Sequence, residues 1–274
     1  NREIDVVGTY YRTQPNLSID CLQCDITDSI ELQQLINRCD PDTIINCAAM
    51  TDVDKCEQNP EEARAVNADA PEEIAQICSR KNIKLIHIST DYVFRGDRTE
   101  AYGVNDSPDP IQEYGKTKYA GEKIIRDLLP SAIIIRVSFL YGIHQSTTEL
   151  TGFPAWIINN LQNRESVSLF TDQFVTPSRA GQAAKILLDL NADNHTGIFH
   201  IACRDCVTPY QFGENIAKRL GKRNLISKST QEDVHRPATR PDYTCLDVRH
   251  TEQCLNQPQP TLTDELSKLH LHQI

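Results

Sequence analysis

Ile83-Lys84-Leu85-Ile86-His87-Ile88-Ser89, running on into Thr90-Asp91-Tyr92-Val93-Phe94, is the stretch on which the fold turns. Ile83–Ser89 is an almost unbroken apolar run, which suits a parallel strand covered on both faces. Its hydroxyls fall at the C-terminal end, the edge where open α/β sheets bind ligands. A helix pattern lies on either side. Upstream, Asp69 reads as a helix cap with Pro71 in the first turn and Glu72 at the capping-box position, and the helix ends near Lys81–Asn82. Downstream, the Gly-, Pro- and Asp-rich Arg95–Pro110 reads as a loop, and Tyr114–Leu128 as a helix.

The alternation continues outward. Ile4–Tyr10 and Ile19–Cys24 read as strands, and Asp28 with Glu31 opens a helix striped by Ile30, Leu32, Leu35 and Ile36. Thr43–Ala49 is a second near-continuous apolar strand, expected to be buried on both faces. Pro60–Val66 reads as a short helix and Ala132–Val137 as a strand. The order β, β, α, β, α, β, α, β predicts a doubly wound parallel α/β sheet. After Gly142 the pattern loosens. Helices are expected over Pro154–Asn163, Arg179–Leu190, Pro209–Leu220 and Asp264–Leu271, and strands over Val167–Phe170 and Gly197–Ala202.

Charge and hydropathy exclude several classes. Among 274 residues, 28 Lys and Arg face 38 Asp and Glu, a net charge of −10. A nucleic-acid partner would need a basic stripe, so none is expected. Mean hydropathy is −0.45, and no apolar run reaches the roughly 18–20 residues of a membrane span. The best candidate, Ala132–Tyr141, is broken by Arg136. Asn1-Arg2-Glu3-Ile4-Asp5 does not read as a signal peptide, and a cytoplasmic protein is expected. The 10 cysteines include CxxC spacings at Cys21/Cys24 and Cys203/Cys206. These lie far apart, and residues three apart on a strand point to opposite faces, so no metal site is expected. The remaining cysteines, Cys39, Cys47, Cys56, Cys78, Cys245 and Cys254, suggest no disulfide framework. Reduced thiols are expected throughout.

A sheet of this kind that binds a dinucleotide opens with a strand, a Gly-rich turn and a helix whose N-terminus holds the pyrophosphate. Neither GxGxxG nor GxxGxxG occurs. The chain starts, without Met, just before what reads as a second strand, so the expectation is that the first βα unit is absent. The alternative is a protein that never bound a dinucleotide. The chemistry centres on Tyr114 and Lys118, four residues apart on one helix face. A tyrosine near pKa 10 is a poor acid or base at neutral pH, and a neighbouring ammonium would bring it toward working range. The hydroxyl of Thr90, or of Ser89, could then meet a substrate carbonyl. The spacing alone is common on surface helices, and its position after a strand ending in Ser-Thr gives it weight.

At these residues the chain resembles the extended short-chain dehydrogenase/reductases, and among them the dTDP-4-dehydrorhamnose reductase family. The likeness rests on Asp25-Ile26-Thr27-Asp28, Pro41 to Ala49, Thr51 to Glu57, Ser89 to Phe94, Tyr114 to Glu122, Arg136 to Gly142, Asp172-Gln173-Phe174, Thr176-Pro177 and Arg240-Pro241. It implies a Rossmann-like fold, with residues 1–145 as the dinucleotide-binding part and 146–274 mainly binding substrate, some segments returning to the sheet. It implies hydride delivery from NADPH, with NADH as the lesser choice, to the 4-keto group of a nucleotide-linked deoxysugar, yielding dTDP-L-rhamnose. Tyr114 would donate the proton, Lys118 would tune it and hold the nicotinamide ribose, and Thr90 would orient the ketone. Asp25 and Ile26 would flank the adenine, while Ala48, Ala49, Thr51 and Asn67 would line the cofactor. Val53, Asp54, Phe139 and Arg240 would face the sugar nucleotide. Asp54 could equally cap a helix, and Arg240 could equally form a surface ion pair. Some family members carry Trp where Phe139 stands, which leaves the particular sugar open. The second strand ends Thr9-Tyr10-Tyr11-Arg12 without an acid, so Arg12 is read as a 2′-phosphate contact favouring NADPH.

Two other readings compete. One is a non-catalytic regulatory protein resembling the methionine adenosyltransferase β subunit, in which the Thr90/Tyr114/Lys118 set could survive. The other is a sugar-nucleotide epimerase, against which Asp172-Gln173-Phe174 and Arg240-Pro241 weigh. A homodimer is compatible with the sequence, which does not otherwise address assembly.

Overall fold

The computed structural model describes residues 4–144 and 149–269. The expected boundary between residues 145 and 146 lies outside the described residues, as does the end of the expected helix at Leu271. The chain opens with strands β1 (Val7–Tyr10) and β2 (Asp20–Gln23), helix α1 (Ser29–Cys39) and strand β3 (Thr43–Asn46). Helices α2 (Val53–Gln58), α3 (Pro60–Arg64) and α4 (Ala70–Lys81) lead to strand β4 (Lys84–Thr90). Helix α5 (Glu113–Leu128) and strands β5 (Ile133–Val137), β6 (Leu140–Ile143) and β7 (Leu150–Thr151) follow. Then come α6 (Phe153–Gln162), β8 (Val167–Phe170), β9 (Ser178–Arg179), α7 (Ala180–Ala192) and β10 (Gly197–Ile201). The remainder is α8 (Pro209–Arg219), β11 (Ile226–Ser229), α9 (Arg249–Leu255) and α10 (Leu262–Ser267).

The central sheet is parallel, in the order β10-β5-β4-β3. Successive side chains on a strand point to opposite faces, and the two faces are covered differently. Leu85 and Ile134 pack with Leu32, Ile36, Ile74, Ile77 and Ile125 from α1, α4 and α5. Ile86, Ile133, Ile135 and Phe199 pack with Ile186, Leu187 and Leu190 of α7. This is the α/β arrangement that the alternating pattern predicts. A further core gathers Ile157, Leu161, Val167, Leu169, Phe212, Ile216 and Leu266 from the later elements. There, small parallel and antiparallel pairs, β8 with β11 and β6 with β7 and β9, replace the long sheet.

Several expectations change. β3 is not buried on both faces: Ile45 is 43% exposed, and its only ladder among the described residues is with β4. β1 and β2 pair with each other as a separate parallel ribbon. Asp69 caps nothing. α3 and α4 are joined by a π-helical turn, Ala65–Asp69, in which Asp69 is itself helical and makes no side-chain cap bond. Asp28 does cap α1, accepting from the N–H groups of Ile30 and Glu31. The thiols are not all free. Cys206 and Cys245 form a disulfide, with Cα atoms 5.6 Å apart, because the loop before α8 and the segment before Leu246 meet in space although 39 residues separate them. No cluster of metal-ligating side chains occurs among the described residues, and no described helix is long and apolar enough to cross a membrane.

Candidate active site at the end of strand β4

β4 delivers two buried hydroxyls, Ser89 and Thr90, to the C-terminal edge of the sheet. Thr90 then caps a short 3-10 turn, Asp91–Val93, accepting the Tyr92 N–H at 3.1 Å. α5 starts against this turn. Gln112 caps it, accepting the Gly115 N–H at 2.5 Å and donating to the Tyr92 carbonyl at 3.2 Å. Glycine is required at the contact: a Cβ on Gly115 would lie 2.0 Å from the Tyr92 oxygen, and one on Gly121 2.5 Å from the Asn67 oxygen. The two glycines therefore let α5 lie close enough for its side chains to reach the strand end.

Tyr114 arrives beside Thr90. Thr90 gives its own proton to Asp91 Oδ1 at 3.0 Å, and its oxygen accepts the Tyr92 N–H at 3.1 Å. As arranged, the Thr90 hydroxyl is turned toward Asp91. It could meet a ketone directly only by turning its proton away from Asp91. Burial pushes the Tyr114 phenol well above its usual range, and Thr90 opposes this. The expected depression by Lys118 is not what this arrangement gives. The Lys118 Nζ donates to the Ile88 carbonyl at 2.7 Å and lies 3.3 Å from His87 Nε2. Burial brings Lys118 down to about 8, with Glu122 and Cys47 opposing. A phenol that keeps its proton is the form a proton donor needs.

Asp91, which sequence reasoning did not assign, is the hub. Its carboxyl is buried, and besides Thr90 it accepts the Ser138 hydroxyl at 2.6 Å and the Thr244 hydroxyl at 2.5 Å. Burial raises it to about 6, and the Ser138, Thr244 and Thr90 hydroxyls act against burial. One turn beyond Lys118, Glu122 takes the Ser89 hydroxyl at 2.5 Å and a two-pronged grip from Arg136 at 2.9 and 2.6 Å. Both charges are buried. An ionised side chain inside an apolar strand end was the available signal for Asp91 and Arg136, since such a group is buried only when paired or hydrogen-bonded.

The other anticipated residues fall into three groups. Asp54 and Arg240 meet in a bidentate pair at 2.9 and 2.8 Å, and Arg240 also donates to the Ala238 carbonyl at 2.8 Å. The cap of α2 is Asp52, whose side chain accepts the Lys55 N–H, so Asp54 is not the cap; Val53 is the first residue of that helix and partly buried. Arg12 and Asp25 share an exposed corner near Tyr11, and the Thr27 hydroxyl and N–H hold the Asp25 carboxyl below its usual range. Ile26 is partly buried beside them. Ala48 and Thr51 are exposed beyond the end of β3, with Ala49 partly buried. Asn67 is buried in the π turn with its amide held by Met50 and Thr117, so it anchors the loop after β3. Phe139 adopts φ 48°, a conformation uncommon for a bulky residue. Its ring meets Phe153 and Phe212 edge-on, at 5.0 and 5.4 Å.

The described family RmlD substrate binding domain matches residues 2–272. The chain belongs to the RmlD family. A relative from Haloferax volcanii named "Probable low-salt glycan biosynthesis reductase Agl14" is 46% identical over 96% of this chain and 88% of its own length. A dTDP-4-dehydrorhamnose reductase of Mycolicibacterium smegmatis is 33% identical over 86% of this chain and 72% of its own. Among solved structures, a dTDP-4-dehydrorhamnose reductase from Bacillus anthracis, in complex with NADP, superposes with TM-score 0.85 at 28% identity, covering 93% of this chain and 90% of that one. This RmlD-family chain is thus a reductase by descent, with the Rossmann-like sheet that its strand order requires.

Proposed function

We propose that the enzyme transfers hydride from NADPH to the 4-keto group of a nucleotide-linked deoxysugar, converting dTDP-4-dehydrorhamnose to dTDP-L-rhamnose in the cytoplasm. The observation that carries this reading is the Tyr114 side chain set beside Thr90 at the sheet edge, where burial favours the protonated phenol. NADPH would supply the hydride. Tyr114 would give its proton to the developing alkoxide, and Asp91 would hold Thr90 so that Tyr114 stays aimed. The residues fit two ends of such a cofactor: Lys118 at the strand edge for the nicotinamide ribose, and the Arg12 and Asp25 corner for the adenosine end. Ala48, Ala49 and Thr51 would line the space between. Because Arg240 is already gripped by Asp54, it would serve the sugar nucleotide as part of that pair.

The test follows NADPH oxidation by the chain with dTDP-4-dehydrorhamnose and with other nucleotide-linked 4-keto sugars. Turnover of the first, lost in Tyr114→Phe, supports the reading. Turnover of only another keto sugar reassigns the substrate, and NADPH binding with no turnover of any of them favours a binding protein.

A further inference from the structure

His87 is fully buried in β4, and no step above uses it. It stands between two other buried groups: Asn46 Nδ2 lies 3.2 Å from its Nδ1, and Lys118 Nζ 3.3 Å from its Nε2. The direction of this chain of hydrogen bonds follows from its far end. The Ala48 N–H can only donate, and it meets Asn46 Oδ1 at 3.1 Å. That fixes the Asn46 amide with its oxygen toward Ala48 and its NH₂ toward His87. His87 Nδ1 must then accept. A neutral imidazole whose Nδ1 accepts carries its proton on Nε2, and Nε2 faces Lys118. Burial keeps the ring neutral, and Lys118 adds to this whenever it is protonated.

We propose that Asn46 and His87 form a buried amide–imidazole couple that presents an N–H donor to the Lys118 amino group. The couple is a positioning device: it makes Lys118 a proton-exchanging amine in place of a permanent cation. An N–H pointed at nitrogen is matched by a lone pair and opposed by an ammonium. Lys118 still has the Ile88 carbonyl to donate to, so the amine form satisfies every contact in the chain. The other groups facing Lys118 are Cys47 at the end of β3 and Glu122 on its own helix. Glu122, held by Arg136 and Ser89, and Cys47 both favour the charged form of Lys118, so His87 is the neighbour whose N–H would oppose it. The inference rests on the reductase reading only for the task given to Lys118.

The test is the tautomer of His87 in the unliganded chain, read from long-range proton–nitrogen spectra of protein labelled with ¹⁵N-histidine and assigned with His87→Gln. A bare Nδ1 and a protonated Nε2 are expected. The reverse tautomer overturns the proposal, because Lys118 would then be the donor, and the reductase reading would still stand. Asn46→Asp offers Nδ1 an acceptor and should invert the tautomer. In His87→Leu the Lys118 side chain, followed by its ¹³Cε shift, should titrate higher by about one pH unit, a tenfold change. No change there means the couple does not act on Lys118 and also overturns the proposal.

Discussion

The two sides of the central sheet differ in how completely they are closed. β4 and β5 have neighbours on both edges, and their apolar and ionic residues are buried together. Ser89, Thr90, Asp91, Glu122 and Arg136 all have hydrogen-bond partners there. Toward β3 and the β1–β2 ribbon the picture reverses. Val7, Ile19 and Ile45 are 43%, 39% and 43% exposed, and Arg12, Ala48 and Thr51 sit in the open. The closed side fixes atoms to within a hydrogen bond, as proton transfer requires.

The sharpest break between the two sides should come from Tyr114→Phe. Turnover is expected to fall about 10²–10⁴-fold, as for loss of a general acid, while the melting temperature and NADPH affinity stay near those of the parent. Steady-state kinetics beside a thermal melt check it, and a variant with near-parent turnover removes Tyr114 from the reaction. Next, Glu122→Gln leaves Arg136 buried without its counter-charge. Breaking such a pair costs about 3–5 kcal/mol, which denaturant unfolding would register.

Asp91 sharpens the comparison through pH. Its carboxyl rises from 3.8 to about 6 on folding, so between those values the folded chain holds a proton that the unfolded chain has released. Stability therefore falls as pH climbs from about 4 to about 6, by on the order of 3 kcal/mol. Asp91→Asn should flatten that slope, as seen in melting temperatures taken across the window. An unchanged slope would mean that other groups cause it. On the open side the expected effect is smaller and confined to binding. Arg12→Ala should raise KM for NADPH roughly tenfold, the loss of one charge-assisted hydrogen bond, and leave KM for NADH nearly unchanged. Equal effects on the two cofactors would take Arg12 out of the phosphate contact.

The helices and buried strands were legible because their signals are local. Asp28 before an apolar stripe, Asn82 after a helix and the apolar run through Ile83–Ser89 each carry their meaning within a few residues. β6, β7, β9 and β11 were not expected, because two- to four-residue strands leave no period to read. The misreading of Asp69 has a physical cause: the π turn carries the helix through a position that looks like a start. Tyr114, Lys118 and Thr90 stand out as candidates because they are close in sequence or sit at a predictable edge. Ser138 and Thr244 are ordinary residues until the fold sets their hydroxyls on Asp91, and the Cys206–Cys245 link likewise depends on a meeting that no spacing announces.

The three hydroxyls on Asp91 come from positions 90, 138 and 244. A ribosome builds the first two long before the third. While the nascent chain grows, the sheet can close around β4 and β5, since domains begin to fold during synthesis. The carboxyl at its edge would meanwhile lack one of its donors and favour staying wet. Only when Thr244 emerges and docks can that edge dry out and Thr90 settle beneath Tyr114. The order of manufacture thus makes the reactive centre one of the last parts to mature, so a prematurely released chain would be folded in its sheet yet unfinished where it matters.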